Sequence, residues 1–210
     1  MKWRIGIKML GFEKTYILPF KFDIPNYTKV FLDKKTFIKP WIKFIKRFIY
    51  IHLKGQNSLE ICNILPEYKE ILWINISAPS LGDSLMDLSS RIMLNDRKVD
   101  LFTDRKNSHL YKDDFIFSKV FNDIKQLGEC RYDLVILDSY STRSIDIKVK
   151  IARLTPFVGM FGYYNGPEVN RVLFSFHQMN NLLGYVKNEN ELNEIARTSI
   201  SISRADQKLK

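Results

Sequence analysis

Cysteine is scarce. The 210 residues contain two, Cys62 and Cys130, with neither CxxC nor metal-ligand spacing, which argues against a disulfide framework and a structural zinc site. Histidine is as thin, with His52, His109 and His177 each lacking a companion at ligand spacing, so no metal centre is expected. No apolar run approaches the roughly 18 residues of a membrane span. The GxGxxG fingerprint and the GK[ST] ending of a P-loop are both missing, which sets aside the nucleotide sites built on those loops. With no signal-peptide pattern either, a reducing cytoplasm is the expected compartment.

Acidic residues are nearly missing from the first quarter. Residues 1–54 hold 13 Lys or Arg against 3 Asp or Glu, whereas residues 55–210 hold 20 of each. The whole formal excess of +10 therefore lies before residue 55. Such an excess suits anionic lipid, an acidic partner or nucleic acid. Within it, TFIKPWIKFIKRFIYIHLK (36–54) alternates bulky apolar residues with Lys39, Lys43, Lys46 and Arg47. After Pro40, which suits a first helical turn, Trp41, Phe44, Ile45, Phe48 and Ile49 gather opposite the basic positions. This reads as an amphipathic basic helix. Its lysine stems and Trp41 fit an anionic membrane surface, with Lys39, Trp41, Lys43, Lys46 and Arg47 as the contacting residues. The same pattern also fits plain packing on the following domain, while nucleic acid is the least suited partner. Residues 1–33 form two less periodic extended stretches with no functional signal, and 55–58 reads as a hinge.

At 45% hydrophobic content the remainder can bury a core. Apolar strands are expected at 71–76, 98–102, 132–137 and 157–163, with helices at 84–94, 145–154 and 172–185. Residues 115–124 read as a helix or as a strand followed by a helix. Strands alternating with helices predict an α/β fold, a Rossmann-like parallel sheet over 59–210 preceded by a basic extension, 1–58. In such sheets ligands bind beyond the C-terminal ends of the strands.

Two loops fall at those ends. In PSLGDSLM (79–86), Gly82 lets the backbone pass close to a ligand and Asp83 stands where a helix begins. Asp83 therefore reads either as an N-cap or as a general base that deprotonates a hydroxyl. In LVILDSYST (134–142), Asp138 ends an apolar run, and Ser139, Ser141 and Thr142 can cap the next helix or bond a sugar hydroxyl. His177 reads as a half-buried, hydrogen-bonded histidine and His109 as part of a solvated turn.

The stretch KEILWINISAPSLGDSLMDLSSRIML (69–94) resembles the opening of the lipopolysaccharide heptosyltransferases, glycosyltransferase family 9: a short apolar strand, a loop with Leu-Gly-Asp, and a helix. VDLFTD (99–104), YDLVILDSYSTRS (132–144) and VNRVLFSFHQMNNLLGY (169–185) are similar to later landmarks of that family's first domain. The resemblance implies a two-domain GT-B enzyme that needs no metal and no cofactor. It transfers heptose with inversion from a nucleotide-activated donor to a phosphorylated glycolipid on the cytoplasmic face of the inner membrane. It also makes Asp83 the base and Gly82 the family's loop glycine; with Gly82, the neighbouring Ser84 and the β-strand-end residues Asp138 and Ser139 are the expected substrate-binding residues. Asn75 departs from the Arg or Lys often found there, and Ala78-Pro79 lengthens the loop. The expected second, donor-binding domain has no counterpart in 210 residues, so a separate donor domain is an implied partner and activity of this chain alone is an open matter. The alternatives are a noncatalytic glycolipid-binding or scaffold module and a small basic RNA-binding protein.

Overall fold

A computed structural model describes residues 46, 49–76, 78–128, 131–138, 141–160 and 171–199. Lys39, Trp41, Lys43, Arg47 and Ser139 lie outside the described residues, as do the stretches at 1–33 and the continuation of the last expected strand into 161–163.

Five strands, β1 (Glu70–Asn75), β2 (Lys98–Thr103), β3 (Phe117–Phe121), β4 (Leu134–Leu137) and β5 (Phe157–Gly159), form one parallel sheet in the order β3-β2-β1-β4-β5. The central strands are buried on both faces, which is why β1 and β4 read as unbroken apolar runs. β1, β2 and β3 progress to one side, and the chain then returns to lay β4 on the other side of β1. The molecule is a Rossmann-like α/β domain whose direction reverses between β1 and β4.

Side chains alternate along each strand and feed two cores. Leu72, Ile74, Val135 and Leu137 pack with Phe157 and with Ile145 and Ile147 of helix α3 (Thr142–Ile151). Ile71, Trp73, Val99, Leu101 and Ile136 pack on the opposite face with Leu88, Tyr111, Met179 and Leu182. That face is covered by α1 (Leu81–Asp87), α2 (Arg105–Tyr111) and α4 (Arg171–Leu182), the last followed by α5 (Glu189–Ile195). Each fully buried Leu, Ile, Val or Phe side chain contributes about 1.5–3 kcal/mol relative to exposure.

Several elements differ from the sequence expectation. The helix expected at 84–94 begins earlier, at Leu81, and breaks: α1 ends at Asp87 and a 3-10 segment runs from Ser89 to Leu94. The Ser89 hydroxyl donates to the Met86 carbonyl (2.8 Å), and the Arg91 amide bonds Leu88 three residues back (3.1 Å), so the tighter repeat takes over. Residues 115–124 resolve as a strand followed by a 3-10 turn at Ile124–Leu127. Helices α2 and α5 were not expected. His109 therefore belongs to a helix rather than to a solvated turn.

Packing also crosses the expected division at 58/59. In the helical residues 49–53, Ile51 is 1% exposed within the first core, while Ile49 and Leu53 remain 49% and 78% exposed. The expected hinge is tied down as well: Gln56, 2% exposed, accepts a hydrogen bond through Oε1 from Nζ of the buried Lys148. Lys148 also donates to the Arg153 carbonyl (3.1 Å) and lies 5.1 Å from the centre of the Phe157 ring. At the outer edge of β5, Glu60 forms an isolated parallel bridge with Phe157, and the Ile61 amide donates to the Phe157 carbonyl (2.9 Å). Beneath the 3-10 segment, Arg91 is fully buried against Asp114, with Nε–Oδ2 at 2.9 Å, and also donates to the Ser199 carbonyl (2.6 Å).

Candidate functional site

The loops after β1 and β4 meet at the point where the sheet reverses direction, the position at which open α/β sheets bind ligands. Asp138 ties them together: its Oδ2 accepts from the Ile76 amide (2.9 Å), and its own amide donates to the Ile74 carbonyl (3.0 Å). Ser141 caps α3 by accepting from the Ser144 amide (3.1 Å).

Asp83 is not the N-cap of α1. That position belongs to Ser80, whose extended backbone (φ −135°, ψ 169°) starts the helix and whose Oγ accepts from the Asp83 amide at 3.1 Å. The same hydroxyl donates to Asp83 Oδ2 at 2.7 Å. Asp83 thus stands in the first turn, where a carboxylate interacts favourably with the helix dipole. Four residues on, Asp87 shares its face of the helix. Between them lies the guanidinium of Arg171, the first residue of α4: Nη1 bonds Asp83 Oδ1, while Nε and Nη2 grip Asp87 at 2.6 and 2.7 Å.

This arrangement separates the two carboxylates. The Ser80 hydroxyl and then the Arg171 charge hold Asp83 below the usual carboxylate range, against an opposing effect of burial. Burial pushes Asp87 up despite its two-toothed grip on Arg171. Asp83 is therefore ionised at neutral pH, and with its side chain 22% exposed it can still be reached from solvent.

Gly82, the second residue of α1, is exposed, and an added Cβ would meet only Ser80 Oγ, at 3.9 Å. Nothing among the described residues requires glycine there. Ser84, expected to contact substrate, is turned inward: it is fully buried, donates to Asn75 Oδ1 (3.0 Å) and shares a hydrogen bond with the Tyr111 hydroxyl (3.0 Å). It faces the sheet because a helix beginning at Leu81 places its fourth residue on the core side. Burial also pushes the Tyr111 hydroxyl up to about 12, which keeps it a neutral hydrogen-bonding partner. Asn75 thus supports α1 from below. His177 on α4 is half-buried, and burial pushes its pKa down. Among the described residues no three His, Cys, Asp or Glu side chains form a group able to hold a metal ion, and no helix is long and apolar enough to cross a membrane.

Sequence reasoning found Asp83 and its loop but missed Arg171 and Asp87, the groups that set its charge. Asp87 was within reach, since DSLMD places two carboxylates four apart on one helix face. The partner arginine, 88 residues away, left no local signal.

No family model matches the chain, and no curated protein matches it. Among solved structures, the E. coli heptosyltransferase WaaC, in a structure with ADP-2-deoxy-2-fluoro heptose, gives a weak and distant match at 16% identity and a TM-score of 0.42. The overlap covers 57% of this chain and 50% of that one, so the chain spans about half the length of the protein it is compared with.

Proposed function

We propose that this domain is the acceptor side of an inverting sugar transferase, heptosyltransferase-like in its chemistry, in which Asp83 takes the proton of the acceptor hydroxyl. The supporting observation is an ionised, solvent-reachable carboxylate in the first turn after the central strand, at the point where a parallel sheet reverses. In the step, the acceptor oxygen bonds to the anomeric carbon as the bond to the nucleotide diphosphate breaks. The diphosphate leaves with the electron pair, and the hydroxyl proton passes to Asp83.

Two hydrogen bonds to a carboxylate leave about two further lone-pair sites, so a hydroxyl can approach without displacing either partner. A carboxylate held below its usual range is nevertheless a weaker base. Its proton affinity rises when Arg171 lets go of it, and the two-toothed Asp87 contact gives the arginine a place to remain. The basic segment serves the same reading by bringing the domain to an anionic membrane that carries a phosphorylated glycolipid. In its support, Ile49 and Leu53 are exposed on the helical residues 49–53, whose Ile51 anchors on the core, and Lys46 just before them is exposed as well.

One observation favours a second reading, a glycolipid-binding module without transfer: both Asp83 oxygens already have protein partners, as a purely structural ion pair would require. Asp83→Asn separates the two. The chain is supplied with nucleotide-activated heptose, a donor-binding domain in trans and phosphorylated glycolipid, and product is followed by mass spectrometry. For a base, turnover falls by about 10²–10⁴-fold with acceptor binding retained. For a structural pair, the substitution lowers stability by about 1 kcal/mol and leaves any transfer unchanged. The latter result would remove Asp83 from the chemistry.

A further inference from the structure

A second cleft on the C-terminal edge of the sheet is unused by the reading above. It encloses about 840 Å³ and is built where β2 and β3 end and α3 begins. Its basic groups come from two elements. Arg105 and His109 lie four apart on α2 and so share a face, and Arg143 reaches in from the start of α3. Arg143 spends one nitrogen on Asp104 Oδ1 (2.7 Å) and has further N–H donors on a side chain that is 65% exposed. Among the described residues, the side chains of Arg105 and His109 have no hydrogen bond or ion pair, and both are exposed in the lining of the cleft.

A separate observation concerns the wall itself. Thr103 at the end of β2 is 1% exposed, and its Oγ1 has no hydrogen-bond partner among the described residues. A buried hydroxyl left this way carries an uncompensated desolvation cost. The floor is partly apolar, from Ile124 and Ile147, and the far wall carries carboxylate and amide groups. Arginine forks match the oxygens of a phosphate, amides and a carboxylate accept from hydroxyls, and an aliphatic floor takes the C–H face of a sugar ring.

We infer that this cleft is a binding site for a phosphorylated monosaccharide, with the phosphate on Arg105 and Arg143 and the ring over Ile124 and Ile147. The site does not depend on the sugar-transfer reading, because none of its residues belongs to the Asp83–Arg171–Asp87 group. Calorimetric titration of the full chain compares inorganic phosphate, glucose 6-phosphate and glucose. Glucose 6-phosphate is expected to bind with one-to-one stoichiometry, phosphate more weakly and glucose not measurably. Arg105→Gln and Arg143→Gln replace exposed side chains, so each should keep the native circular dichroism spectrum while weakening glucose 6-phosphate about tenfold or more. Asp83→Asn should leave this binding unchanged. The site is overturned by absence of binding at millimolar glucose 6-phosphate, or by unaltered binding to both arginine variants. Equal affinity for inorganic phosphate and glucose 6-phosphate overturns the sugar assignment.

Discussion

Lys148 offers a test in which the magnitude follows from the structure. Its side chain is 1% exposed, its amine contacts a neutral amide, a carbonyl and an aromatic ring, and burial pushes its pKa from the usual 10.5 down to about 8. Below pH 8 the lysine is charged in both folded and unfolded chains, so the folded state carries the full cost of holding the charge away from water. Above 10.5 it is neutral in both, and that cost is gone. The interval between the two values corresponds to about 3 kcal/mol, gained by the folded state as pH rises from 8 to 10.5. Other groups titrate in the same window, so the measurement is a difference between the natural chain and Lys148→Met, by urea unfolding at a series of pH values. Removing the amine also leaves Gln56 without its donor, but that is a constant offset and does not enter the slope. The two stabilities should run parallel below pH 8 and then converge or cross, with the natural chain gaining about 3 kcal/mol relative to the variant by pH 10.5. Parallel curves throughout would refute the argument, because the lysine would then be solvated despite its position.

Three further outcomes follow from other parts of the molecule. Arg91→Met strands the Asp114 carboxylate in the core and should cost about 3–5 kcal/mol in urea unfolding, and the double variant with Asp114→Leu should recover part of that loss. Gly82→Ala should leave the urea midpoint unchanged or raise it slightly, since helix propensity favours alanine by about 1 kcal/mol and no atom of the described residues obstructs the methyl; a calorimetric loss of glycolipid binding in the same variant would place the acceptor against residue 82. In liposome co-sedimentation, the full chain should bind anionic vesicles at low salt and release at high salt, whereas Leu53→Glu with Ile49→Glu should bind less at both, and equal binding by the two proteins would remove this helix face from the contact.

What could be read from the chain divides along physical lines. β1 and β4 were legible because a strand buried on both faces reads as a nearly continuous apolar run, ILWI in β1 and LVIL in β4. The Leu-Gly-Asp loop was legible because glycine and aspartate punctuate a strand end. The start of α1 slipped by three residues because Ser80 and Asp83 are both good caps and only the backbone decides between them. Ser84, expected to contact substrate because it follows Asp83 in the loop, falls on the core side of the helix instead. Helices α2 and α5 are seven residues each and lack an apolar stripe long enough to register. α5 nonetheless carries the reciprocal Asn188 and Glu191 cap that its NENE sequence offers. Arg171, the 840 Å³ cleft and the burial of Lys148 arise only when distant segments meet, and no window of sequence contains them.

The outer margins of the sheet also bear on how the protein behaves at high concentration. A parallel sheet ends in two rows of unpaired amides and carbonyls, each a template onto which another chain can add a strand. On one side β5 is three residues long, and the Glu60–Ile61 segment already occupies the rung at Phe157. On the other, β3 exposes Ser118 and Lys119 in its middle, and the β2–β3 register shifts between Val99 and Asp100, a break in flatness next to that margin. A lysine and an irregular ladder make a poor template for a flat, dry stack. The domain should therefore resist fibril growth through its sheet, and removing residues 1–61, the Glu60–Ile61 segment included, would uncover the β5 side and invite it.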